Sequence, residues 1–200
     1  MNKLPSREEY LRKLVPKAKE RIIVSYLGSS ARIWSRLRPE GPNFINRDFM
    51  GLNLSVALGI AMALPDQSVI VMEGDGGLLM KLESLVTVGA KAPPNLLVLT
   101  FFNNWYVTGG GQPLPSSELN LEDFAKAARF PQTTTVSSPE AFEIALDQML
   151  DSGNLGYINL QVAHDAEADV HGSVEQEKLV PSTFKMRTDF TRWIQEYWPQ

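Results

Sequence analysis

Cysteine is absent from all 200 residues. The chain therefore forms no disulfide, no thiolate zinc site and no iron–sulfur cluster held by its own side chains. Histidine is almost as scarce, with two copies, His164 and His171. A surface role is expected for each, the alternative being an acid or substrate contact in a closing segment. No stretch reaches the ~18 to 20 apolar residues of a membrane span, and the N-terminal MNKLPSREEYLRKLVPKAKER is charged throughout, without the apolar centre of a leader. A cytoplasmic protein with no membrane partner is expected. Internal repeats and long low-complexity tracts are also missing. With 44% hydrophobic and 21% charged residues, the chain is expected to form one domain over residues 1–165. Residues 166–200, rich in aromatics, are expected to be a tail packing on the body or on a partner.

The formal charge is −4, but residues 1–38 hold 10 Lys/Arg against 3 acids and the remainder 9 against 20. The early basic residues interleave with acids and with the apolar positions of a helix, and no aromatics are spaced for stacking among them. This favours a solvated face or an acidic partner over nucleic acid. Arg32, Arg36 and Arg38 follow a Gly28-Ser29-Ser30 turn; an exposed helix face is expected for them, with an anionic substrate group as the alternative.

Ser6 and Glu9 have capping-box spacing ahead of Tyr10, Leu11, Leu14 and Val15, which predicts a short helix up to Pro16. RIIVSYLG (21–28) reads as strand and turn before a second helix, and MGLNLSVALGIAMALP (50–65) as a buried helix closed by Pro65. SVIVMEG (68–74) and NLLVLTFFNN (95–104) are uninterrupted apolar runs, the mark of strands covered on both faces. GGLLMKLESLVTVGA (76–90) reads as one helix between them, and WYVTGGGQPLPSS as a loop. Leu121, Phe124, Ala125 and Ala128 suit a short helix, TTTV (133–136) a strand, the segment opened by Ser138 and Pro139 an amphipathic helix, and GYINLQV (156–162) a last strand. This alternation predicts an α/β fold, a doubly wound parallel sheet with helices on both faces, whose ligands sit beyond the carboxyl ends of the strands.

Those strand ends carry Gly28-Ser29-Ser30, Glu73-Gly74-Asp75-Gly76-Gly77 and Asn103-Asn104. Glycines let a backbone approach an anion, while a carboxylate and an asparagine carbonyl are hard oxygen ligands. A divalent metal carrying a diphosphate satisfies both. The G-x-x-x-x-G-K-[ST] and G-x-G-x-x-G phosphate loops are absent from this stretch.

Gly74-Asp75-Gly76, followed after 26 residues by Asn103-Asn104, resembles the motif of the thiamine-diphosphate-dependent enzymes. DFMGLNLSVALGIAMALPD (48–66), MEGDGGLLMKLESLVTVG and TGGGQP resemble most closely the diphosphate-binding domain of the sulfopyruvate and phosphonopyruvate decarboxylases, over residues 20–165. The resemblance implies thiamine diphosphate and Mg²⁺ as cofactors. It assigns Asp75, the Asn104 side chain and the Tyr106 backbone carbonyl to the metal. Gly74 opens the motif, Gly76, Gly77 and the Thr108-Gly109 turn would donate N–H groups to the diphosphate, and Gly28 and Ser29 would close the far side. Met50 matches the wedge between the two thiamine rings, and the Asp48 carbonyl would accept from the pyrimidine amino group. The segment from Asn104 to Gln112 is slightly shorter than in those decarboxylases.

In the resembled family the glutamate that activates the cofactor lies in a separate pyrimidine-binding domain, for which this chain has no room. No catalytic side chain is therefore expected here. The expected partner is a pyrimidine-domain α subunit in an α₂β₂ or larger assembly acting on a small 2-oxo acid. Two other enzymes share the domain, the β subunit of 2-oxoacid:ferredoxin oxidoreductases and an acetolactate-synthase-like carboligase, and a non-catalytic cofactor-binding subunit is a further alternative. The missing cysteines weigh against the oxidoreductase, whose clusters would all have to sit in partner chains.

Overall fold

A computed structural model describes residues 3–26, 28–47, 50–107, 110–116, 118–164 and 180–197. The roles expected of Asp48, Thr108, Gly109 and His171 fall on residues outside this set.

Six strands form one parallel sheet in the order β2-β1-β3-β4-β8-β7. They are β1 (Ile22–Tyr26), β2 (Asn43–Asn46), β3 (Val69–Gly74), β4 (Leu96–Phe102), β7 (Gln132–Val136) and β8 (Gly156–Gln161). The central strands β3 and β4 are buried over all but their last residue, because helices cover both faces. On one face lie α3 (Asn53–Ala63), α5 (Glu83–Lys91) and α6 (Leu121–Ala127), with Leu54, Ala57, Leu85, Val88, Leu121 and Ala125 packed on Val71, Val98 and Tyr157. On the other lie α1 (Arg7–Leu14), α2 (Ser29–Leu37) and α7 (Pro139–Asp151), with Tyr10, Trp34, Phe142 and Leu146 packed on Ile70, Leu99 and Ile158. The strand order reverses between β1 and β3, so the crevice beyond their carboxyl ends is the binding position that this topology creates.

The predicted caps form: Ser6 and Glu9 close a capping box on α1, and Ser138 accepts from the Ala141 N–H with Pro139 in the first turn of α7. The basic N-terminal segment is answered within the chain. Lys13 pairs with Glu143 and Lys17 with Asp147, both on α7, while Glu8 takes Arg12 and Arg36. Arg38 departs from the exposed-face expectation. It is buried, donates to Asn43 Oδ1 and the Lys19 carbonyl, and lies 5.7 Å above the Trp34 ring. It ties the end of α2 to the start of β2.

Three elements differ from the sequence expectation. The polar NFIN segment is an edge strand, β2, that alternation did not reveal. The segment 76–90 is two helices, α4 (Asp75–Met80) and α5, broken at Lys81. The adjacent apolar residues of LLMKLESL hide that one-residue dislocation from a periodicity argument. Within the expected loop, β5 (Trp105–Tyr106) and β6 (Gln112–Pro113) pair antiparallel. The C-terminal α8 (Thr183–Tyr197) lies on β2, where Phe190 meets Phe44 edge-on at 5.4 Å and Trp193 and Ile194 pack on the core. Phe184 on the same helix stays 81% exposed.

Candidate functional site

The loops after β1, β3 and β4 enclose a cleft of about 580 Å³, the solvent at its mouth included. Among the expected residues, Gly28, Ser29, Met50, Gly74, Asp75, Gly76, Gly77 and Tyr106 line it, together with Arg7, Tyr26, Glu73 and Trp105. Residues more than seventy positions apart in the chain thus converge at the topological switch point.

Asp75, the first residue of α4, is 2% exposed. Its Oδ1 accepts from the Gly76 N–H at 2.8 Å; its Oδ2 accepts from the N–H groups of Asn103 at 2.9 Å and Asn104 at 2.6 Å. One carboxylate therefore locks the β3 exit to the β4 exit. Burial pushes its carboxyl above the ordinary range, opposed by those three N–H groups and by the charge of Arg7. Asn104 sits at φ 65°, in the left-handed region where asparagine is among the few tolerated side chains. Its Oδ1 is buried and has no partner among the described residues. The Tyr106 carbonyl accepts from the Gly111 N–H, which shapes the β5–β6 hairpin and leaves a carbonyl lone pair available.

The two glycines after Asp75 have a steric reason to be glycine. A Cβ on Gly76 would stand 2.5 Å from the Tyr106 ring, and one on Gly77 would stand 2.4 Å from Glu73 Oε1. The Gly76 N–H, expected to face the diphosphate, is engaged with Asp75 in this structure. At the rim the Trp105 ring stacks on exposed His164, centroids 4.5 Å apart and planes 7° apart.

Glu73 was not singled out by motif reasoning, although a charge inside the apolar VIVMEG run was its signal. It is 2% exposed, Oε1 accepts from the Gly74 N–H at 3.1 Å, and Oε2 is unpartnered among the described residues. In register beside it stand Thr100 and then Asn159, whose Oγ1 and Oδ1 are likewise buried and unpartnered. Burial, partly offset by the Gly74 N–H, pushes the Glu73 carboxyl up to about 8, so the neutral acid is held near pH 7. Protons are retained by the folded chain and released on unfolding. The associated stability is full below the ordinary value of 4.5 and is lost as pH rises toward about 8. In the metal-free chain, Glu73→Gln, which copies the neutral acid, should flatten that decline. Melting temperatures of the two proteins, compared from pH 5 to 9, should diverge as pH rises, the wild type falling relative to the variant.

A metal carried by this chain would find oxygen donors at Asp75, Asn104 and the Tyr106 carbonyl. No group of three or more His, Asp or Glu that could hold an ion occurs among the described residues. The donor set, all oxygen, suits a hard cation.

The family comparison agrees with the geometry. Residues 28–160 match the thiamine pyrophosphate enzyme C-terminal TPP-binding domain. The chain belongs to the thiamine pyrophosphate enzymes. It is 36% identical over 141 residues to the sulfopyruvate decarboxylase subunit beta of Methanocaldococcus jannaschii, covering 70% of this chain and 74% of the relative. It is 32% identical over 159 residues to the phosphonopyruvate decarboxylase of Streptomyces viridochromogenes, covering 79% of this chain but 40% of the relative. A thiamine diphosphate-dependent 4-hydroxybenzoylformate decarboxylase from Rhodococcus jostii shares the fold with a TM-score of 0.68 at 18% identity, over 83% of this chain and 34% of the other. The chain thus spans about a third of that solved thiamine enzyme and most of the length of the beta subunit.

Proposed function

We propose that this chain is the diphosphate-binding subunit of a two-chain thiamine-diphosphate-dependent 2-oxoacid decarboxylase of the sulfopyruvate and phosphonopyruvate type. The observation that carries the reading is the Asp75 carboxylate, which joins the β3 and β4 exits beside an unpartnered, buried Asn104 Oδ1. Asp75, Asn104 and the Tyr106 carbonyl would hold Mg²⁺. Thiamine diphosphate, when bound, supplies the electron sink that lets a 2-oxo acid lose carbon dioxide. The chain's own contribution is positional: the cleft floor from Gly74 to Gly77 and the Gly28-Ser29 turn seat the diphosphate, Met50 supports the cofactor rings from the side, and the buried floor excludes water. The activating carboxylate would come from a pyrimidine-binding partner chain.

The surface of α3 supports the need for a partner. The helix carries no charged side chain, and its exposed side presents Ser55, Gly59, Met62 and Ala63, Met62 at 54%. An uncharged exposed helix face of this kind suits burial against another chain. Met62→Glu should leave the melting temperature of the single chain within the change ordinary for a surface substitution, roughly 0.5 kcal/mol, and should weaken assembly with the partner, read by light scattering on a sizing column.

The reading is tested by co-expressing the chain with a pyrimidine-domain polypeptide and assaying carbon dioxide release from sulfopyruvate, phosphonopyruvate and pyruvate. Release that requires both chains, Mg²⁺ and thiamine diphosphate supports it. An assembled, cofactor-loaded pair inert on every 2-oxo acid would refute the decarboxylase assignment.

A further inference from the structure

Arg7 stands outside the residues that match the family domain, which begin at 28, yet it lines the cleft. Its position is fixed rather than incidental. The Pro5 carbonyl accepts from the Ala163 N–H at 2.8 Å, and the Tyr10 hydroxyl donates to the Gln161 carbonyl at 3.1 Å. The start of α1 is thereby tied to the exit of β8, at the same carboxyl edge of the sheet where the cleft opens. Glu8 holds Arg36 of α2, Lys13 holds α7, and Lys17, in the turn just after the helix, holds α7 again, so both ends of the segment are tied down.

The charge inventory says what it serves. Among the described residues lining the cleft, Arg7 carries the one cationic side chain, and the acids are Glu73 and Asp75. A diphosphate and Mg²⁺ placed beside an ionised Asp75 leave an excess of negative charge, which a guanidinium with five donors in a fixed fork is suited to meet. Arg7 lines the cleft together with Gly74, Asp75, Gly76 and Gly77, the floor on which the diphosphate would rest.

We propose that Arg7 is an anion-binding residue of this cleft, contributed by the N-terminal helix and directed at the diphosphate of the cofactor. The inference rests on the thiamine-diphosphate reading of the site. In it, the helix that precedes the family domain is a functional part of the cofactor site, and its clamps to α2, α7 and the β8 exit position a charge.

The test uses the assembled enzyme, prepared by co-expression, as wild type, Arg7→Gln, Arg7→Lys and Asp75→Ala. Calorimetry measures binding of Mg²⁺–thiamine diphosphate, of Mg²⁺–pyrophosphate and of unphosphorylated thiamine. Arg7→Gln should weaken both phosphorylated probes about ten- to a hundred-fold, the worth of a charge-assisted contact, and leave thiamine unchanged. It should also reduce the salt dependence of pyrophosphate binding, and Arg7→Lys should recover part of the loss. Equal affinity of wild type and Arg7→Gln for both phosphorylated probes overturns the inference while leaving the thiamine reading intact. An equal loss for all three probes also overturns it, because the effect is then on cleft shape. If the wild type binds none of the probes, the thiamine reading itself fails, and the inference with it.

Discussion

Asp75→Ala is expected to abolish Mg²⁺-dependent binding of pyrophosphate and to cost part of the stability at once. The carboxylate accepts three backbone N–H groups, from Gly76, Asn103 and Asn104. Truncation leaves buried donors unsatisfied, and a typical penalty of about 1 kcal/mol or more for each gives about 3 kcal/mol. For a chain of this size that is roughly 6 to 12 °C in melting temperature. Asp75→Asn is the sharper probe. Its single carbonyl can face either the Asn103 and Asn104 amides or the Gly76 amide, and its NH₂ then opposes whichever donor is left. It should lose less stability than the alanine variant, yet still lose Mg²⁺-dependent binding of pyrophosphate, because the charge is gone. Thermal melts of the metal-free proteins separate the structural loss from the loss of binding measured by calorimetry.

Gly89→Ala is expected to have the largest effect on folding of any conservative change away from the cleft. A Cβ at this position, in the last turn of α5, would stand 1.7 Å from the carbonyl oxygen of Ala128, which closes α6. That neighbour is backbone and cannot rotate aside, so the two helices must separate over the β4 and β8 core. Overpacking of this kind costs about 3 kcal/mol or more, again roughly 6 to 12 °C. Gly59→Ala is the matched control, because a Cβ there meets nothing within 4 Å. In the single chain it should raise stability by up to about 1 kcal/mol through helix propensity. Differential scanning calorimetry of the two variants should show shifts of opposite sign.

The parts of the fold that follow from burial periodicity were legible in the sequence. The central strands read directly from VIVMEG and LLVLTFF, because a strand covered on both faces is apolar at nearly every position, Glu73 and Thr100 being the exceptions. Caps read directly from Ser6, Glu9, Ser138 and Pro139, because they are local chemistry. The edge strand β2 was not legible: Asn43 and Asn46 flank Phe44 and Ile45, and pairing to β1 with Arg38 and Trp34 around Asn43 creates the strand. The break at Lys81 was hidden for a related reason, since tertiary demands on either side of it are both apolar.

At the cleft, the strand-end residues and the family resemblance picked out Gly28, Ser29, Met50, Asp75, Gly76, Gly77 and Tyr106, and the structure gathers them around one cavity. The sequence did not reveal a second reason for two of them to be small: Tyr106 and Glu73 crowd the backbone at Gly76 and Gly77, a constraint from within the protein. Glu73 was named at the strand end but given no role, and Arg7 was not noticed, because their importance lies in placement. One is a carboxyl buried at the end of a strand, the other a cation delivered by a helix far away in sequence.

The central claim is that this chain seats thiamine diphosphate through a metal held at Asp75 and Asn104, and that a partner chain closes the site. Calorimetric titration of thiamine diphosphate into the chain, with and without Mg²⁺ and with and without the co-expressed pyrimidine-domain partner, tests it most directly. The prediction is binding that requires Mg²⁺ and tightens when the partner is present. Equal binding without Mg²⁺, or none in any combination, would contradict it.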